Sequence, residues 1–94
     1  MLGARLHALD NGFFKVRMDR LSPSEIDYVH AMASLGSGPY VASDVAAHLK
    51  RKPNSLSPIR SSIIKKGMIF SPVRGELQFT VPLFDEHLRR KSGN

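Results

Sequence analysis

Residues 53–79 read PNSLSPIRSSIIKKGMIFSPVRGELQF. Small polar residues after Pro53 open a helix near Asn54 or Ser55. Leu56, Ile59 and Ile63 then recur at the spacing of one helical face, with Ile64 beside them, and form the core stripe. Ser55, Ser57, Arg60, Ser61 and Lys65 are left to face outward. Pro58 is expected in the first turn, where a missing amide matters least. Gly67 ends the helix in a left-handed conformation that satisfies its last carbonyls. Met68 to Ser71 and Glu76 to Val81 follow as a hairpin across Pro72-Val73-Arg74-Gly75. Leu77, Phe79 and Val81 alternate with Glu76, Gln78 and Thr80, so one face of that strand packs and the other is wet.

Working outward, two helices precede this segment. Ser22-Pro23-Ser24-Glu25 is a helix start, with Ser22 as cap, Pro23 in the first turn and Glu25 completing a capping box. Ile26, Val29, Met32 and Ala33 give a helical stripe through about Leu35, and Gly36-Ser37-Gly38-Pro39 stops it. Tyr40-Val41 is a strand stub. Ala42 or Ser43 opens the next helix, with Val45, Ala46 and Leu49 inward, and Lys50-Arg51-Lys52-Pro53 makes the turn. At the other end, Pro82 starts a last helix with Leu83, Phe84, His87 and Leu88 inward. Arg89, Arg90 and Lys91 close it, where cations favour the helix dipole.

The N-terminal part is read as a short helix over Leu2 to Leu9, a turn at Asp10-Asn11-Gly12, and an extended arm from Phe13. In that arm Phe14, Val16 and Met18 alternate with Lys15 and Arg17. Such an arm is too apolar to stand in water. It is expected to fold back on the domain or to pair with a second copy. The expected fold is therefore mainly α with a small β-hairpin wing: a winged helix-turn-helix over residues 22–91, preceded by a helix and arm over 1–21 and followed by a disordered tail at 92–94.

The chain of 94 residues suits one modest core, and 41% hydrophobic content is ordinary for a folded domain. No apolar run approaches the roughly 20 residues that cross a bilayer. No long apolar signal core stands behind Met1–Arg5. Cysteine is absent, which excludes disulfides and thiolate metal sites. Together these fit the cytoplasm. The formal net charge is +6 and the pI about 10.2, a balance that attracts polyanions. The distribution is sharper than the sum. From Val45 through Gly75 there is no Asp or Glu, while Lys50, Arg51, Lys52, Arg60, Lys65, Lys66 and Arg74 lie within that stretch.

Catalytic patterns are missing. There is no G-x-x-x-x-G-K-[ST] loop to cradle phosphate and no G-x-S-x-G for a hydrolase serine. Asp44 and His48 stand one helical turn apart, half of a metal site, and a surface pair is the better reading. Asp85 and Glu86 suit the first turn of a helix. The chain is expected to be a binding module with no cofactor, and not an enzyme. The winged fold presents its third helix to a DNA major groove. The candidate DNA-binding residues are Lys52, Ser55, Ser57, Arg60, Ser61, Lys65, Lys66 and Arg74. Small hydroxyls approach phosphates and base edges, Arg60 reaches a guanine edge or phosphate, Lys65 and Lys66 suit the backbone, and Arg74 at the hairpin tip suits a minor groove or phosphate.

A resemblance adds to this. Phe13-Phe14-Lys15-Val16-Arg17-Met18-Asp19-Arg20-Leu21-Ser22-Pro23, followed by Asp27-Tyr28 and Ala31-Met32-Ala33, resembles the C-terminal region of a family of bacterial AAA-type ATPases. So do Ser57-Pro58-Ile59-Arg60, Lys66-Gly67-Met68-Ile69-Phe70-Ser71-Pro72 and Phe79-Thr80-Val81-Pro82-Leu83-Phe84. Those proteins join an ATPase core and lid to a winged helix, an arrangement similar to origin-recognition initiators. The resemblance implies that Leu2 to Leu9 corresponds to the end of the lid and the arm to the lid-to-wing connection. It carries no ATP-binding residue onto this chain, which is then a piece of a longer protein or a free-standing relative. The expected function is duplex DNA binding as the C-terminal module of such an ATPase. The alternatives are a protein-interaction module docking on the ATPase core or a partner subunit, and a free-standing dimeric transcription regulator.

Overall fold

The computed structural model describes residues 14–92. Residues 14–18 are helical (α1). There follow α2 (Pro23–Ser34), β1 (Tyr40–Val41), α3 (Ala42–His48), α4 (Pro53–Lys65), β2 (Ile69–Phe70), β3 (Glu76–Phe79) and α5 (Phe84–Ser92). The protein is mainly helical with a small three-stranded antiparallel sheet in the order β1-β3-β2. Tyr40 stands opposite Leu77 and Ile69 opposite Phe79. All four are buried, so one face of the sheet closes on the helices. The hairpin follows the alternation in the sequence. The pairing of the Tyr40-Val41 stub with β3 does not, because nothing local specifies a partner so far along the chain.

Helix ends follow local chemistry. Ser22 accepts from the Glu25 N–H while Glu25 accepts from the Ser22 N–H, a complete capping box. Gly67, at φ +79°, ends α4 in a Schellman motif: its N–H donates to the Ile64 carbonyl and that of Met68 to Ile63. Buried Met68 and Ile63 supply the apolar contact that accompanies this motif. The same pattern closes α3, with Lys50 and Arg51 donating to Ala47 and Ala46. There the left-handed position is held by Lys50, at φ 57°.

Five local expectations are corrected. The segment read as an extended arm is helical over 14–18. Phe14 and Met18, four apart, face the core, Val16 is 56% exposed, and Lys15 pairs with Asp19 at 3.2 Å. The alternation and the helical spacing share Phe14 and Met18, and packing chose the helical one. Pro58 sits in the second turn of α4, because the helix begins at Pro53 with Lys52 as its N-cap. Pro58 is exposed, and it leaves the Asn54 carbonyl without its helical donor at the solvent side. Ile64 lies on the wet side of the core stripe, 37% exposed. Leu83 is 60% exposed, at φ 69°, in the turn that precedes α5, which starts at Phe84 rather than Pro82. Ser92 ends α5 rather than opening a tail. The proposed helix over Leu2 to Leu9, the turn at 10–12 and Phe13 lie outside the described residues.

The core runs between α2, α5 and the sheet. Phe14 packs on Phe84 at 4.8 Å, Phe84 stacks on Phe79 at 5.6 Å, and Phe79 meets Tyr40 edge-on at 5.6 Å. Helix α1 thus packs on its own chain through Phe14. Arg89 lies inside this assembly rather than serving its own helix end. One guanidinium nitrogen donates to the Ala33 and Gly36 carbonyls at 2.9 Å each, and the other pairs with Asp85 at 2.9 Å. It closes the C-terminal end of α2. The Tyr40 hydroxyl donates to the same Gly36 carbonyl. Burial, then the Asp85 charge, push the Tyr40 phenol up to about 12 against the opposing pull of Arg89. Among the described residues no helix is long and apolar enough to cross a membrane.

Candidate nucleic-acid interface

The acid-free stretch from Val45 to Gly75 spans most of α3, the turn after it, α4 and the loop of the hairpin. In the turn, Lys50, Arg51 and Lys52 are all exposed. The Lys50 conformation makes the chain reverse tightly there, so three cations occupy the step between two helices. Lys65 is exposed at the far end of α4 and Arg74 at the hairpin turn. The Ser71 hydroxyl donates to the Val73 carbonyl at 2.7 Å, which braces the loop carrying Arg74.

The eight sequence candidates separate into two groups. Lys52, Ser55, Ser61, Lys65 and Arg74 are exposed. The Ser55 hydroxyl donates to the Lys52 carbonyl at 2.7 Å, tightening the first turn of α4. Arg60 and Ser57 are half-buried, and Lys66, although exposed, is engaged within the chain. Arg60 lies close enough to buried Tyr28 on α2 for its charge to act on the phenol. Its other contact, Ser57 Oγ at 3.5 Å, is at the limit of hydrogen-bond range, as is the Ser57 hydroxyl to the Pro53 carbonyl at 3.5 Å. Burial raises the Tyr28 phenol above its ordinary value, and the Arg60 charge and hydrogen bond oppose that rise.

Lys66 is the clearest case. Its Nζ lies 2.6 Å from Glu25 Oε1 and 2.9 Å from the Arg20 carbonyl. Glu25 is only 5% exposed. Burial alone would raise its carboxyl. Hydrogen bonds from Lys66, Ser62 and the Ser22 N–H, with the Lys66 charge, outweigh that and hold it down to about 2. Sequence reading placed Lys66 on DNA because Lys65-Lys66 reads as a basic pair. In the fold the two point apart: Lys65 to solvent, Lys66 to the capping box of α2.

Asn54 is exposed in the first turn of α4 beside Ser55, and its carboxamide carries both a donor and an acceptor. Asp44 and His48 line an open cleft of about 490 Å³ with Leu35, Pro39, Tyr40, Val41 and Ala47. Among the described residues no group of three His, Cys, Asp or Glu comes together as a metal site would need.

Fold and site together define a small, mainly helical domain with a three-stranded antiparallel sheet and a run of exposed cations between and beyond two of its helices. Residues 11–88 match the model of a family described as a domain of unknown function (DUF8462), and the chain belongs to that family. No curated protein and no solved structure matches the chain.

Proposed function

We propose that this domain is a winged helix-turn-helix that binds duplex DNA, with α4 in the major groove and the β2–β3 hairpin alongside. The order helix, strand stub, two helices, hairpin supports the fold. One observation carries the function. The stretch without acids coincides with the elements that face DNA in that fold, and within it Lys50, Arg51, Lys52, Lys65 and Arg74 are exposed. The domain acts as a binding module rather than an enzyme. That it forms the C-terminal part of an AAA-type ATPase is a further proposal, which rests on the resemblance in the sequence.

Titration of a labelled duplex at about 50 and 200 mM salt tests the reading. If these five cations each neutralise a phosphate, affinity falls on the order of several hundredfold between the two conditions. Loss of all retention at about 50 mM, where non-specific binding is readily measured, sinks it. Docking on a protein partner then takes first place, with the cleft bordered by exposed Leu35 and Val41 as its natural surface.

A further inference from the structure

We propose that α4 selects adenine rather than guanine, through Asn54; this inference rests on the DNA-binding reading above. Guanine is read chiefly by Arg or Lys reaching its O6 and N7 together. From Pro53 through Ile64 the one cation is Arg60. Arg60 is half-buried, 3.5 Å from Ser57 Oγ on its own helix and close enough to Tyr28 on α2 for its charge to act on that phenol. The ridge of α4 opposite buried Leu56 and Ile63 is made instead by Asn54, Pro58, Ser61 and Lys65, all exposed and spaced four, three and four residues apart. Cations stand only at its ends, with Lys52 before the helix and Lys65 at its close. That arrangement puts phosphate-binding charge at the borders and neutral hydrogen-bonding groups between them, which complements a groove walled by phosphates.

Residues in the first turn of a recognition helix meet base edges. Asn54 is the second residue of α4. Its carboxamide offers a donor and an acceptor side by side, the match for adenine N7 and N6–H₂. Ser61, two turns further on, can pair with any base and adds little choice.

The test is selection of duplexes from a randomised pool by the full chain at about 100 mM salt, where base contacts compete with non-specific charge. Affinities follow for the selected duplex and for one with the key adenine pair changed to a guanine pair. The expected result is one adenine position preferred by roughly 5- to 100-fold. Asn54→Ala abolishes that preference, so the selected duplex and its guanine-changed counterpart bind alike. Asn54→Gln retains part of it. Retention of DNA with no adenine preference overturns the inference and spares the DNA reading. So does a guanine preference lost in Arg60→Gln while circular dichroism shows the fold intact. No retention of any duplex overturns both.

Discussion

Lys66 Nζ and Glu25 Oε1 lie 2.6 Å apart across 41 residues of chain, and this contact joins the end of α4 to the start of α2. Glu25 serves two structures at once. It completes the capping box at Ser22, and it anchors the helix proposed to enter DNA. One carboxylate therefore ties the C-terminal end of α4 to the first turn of α2.

That carboxylate sets an acid limb. Its folded value of about 2 lies below the ordinary glutamate value of about 4.3. The unfolded chain thus takes up the proton first. The stabilisation is complete above the ordinary value and is lost as pH falls from about 4 toward 2. Glu25→Gln is expected to lose about 1.5–3 kcal/mol at pH 7 and to flatten the dependence in that acid window. Urea unfolding at a series of pH values checks both. Wild-type and variant curves running parallel from neutral pH down to about 2 would contradict the assignment.

Lys65 and Lys66 are expected to behave as opposites. Lys65→Ala and Arg74→Ala each lower the salt slope of DNA binding by about one, with little change in stability. Lys66→Met lowers stability because it strands Glu25, and it leaves the slope unchanged once the folded fraction is accounted for. Salt titrations of the three variants beside their unfolding curves make the comparison.

Arg89→Ala is expected to destabilise by about 2–4 kcal/mol, because two helix-end carbonyls and Asp85 lose a charged partner together. Arg89→Lys should recover only part of it, since an ammonium cannot span the same fork. Chemical denaturation decides. A variant as stable as the wild type would show that water replaces the guanidinium without penalty.

Phe14→Ala should cost about 3–5 kcal/mol, the range for removing a buried aromatic ring. The ring lies against Phe84 and 4.5 Å from His87. Hydrogen exchange should show amides of 14–18 losing protection before those of α2. Equal protection in the variant would mean that α1 is held by something other than Phe14.

Lys50→Gly should raise stability by up to about 1 kcal/mol, because glycine takes the left-handed conformation that a lysine side chain disfavours. DNA affinity should fall slightly through the lost cation. Thermal melting and the salt titration report the two effects separately.

Much of this architecture was legible in local chemistry. Ser22 and Glu25 mark the start of α2, Gly67 the end of α4, and the alternation of Leu77 and Phe79 the inward face of β3, because caps, backbone sign and side-chain period act over a few residues. The basic stretch was legible as a run free of acids, and the structure leaves its members Lys52, Lys65 and Arg74 exposed. Residues 14–18 were not legible, since Phe14 and Met18 satisfy both a strand and a helix period until Phe84 arrives to cover one face.

Composition and local pattern by themselves determined a basic domain with three successive helix signals, a hairpin and no phosphate loop. Tertiary structure alone decided which cations remain available. Arg60 and Lys66 look in the sequence like Lys65. They are engaged because folding brings two residues distant in the chain beside them, Tyr28 near Arg60 and Glu25 within hydrogen-bond reach of Lys66. A charge finds its partner by distance in space, and that distance is fixed only when the helices pack.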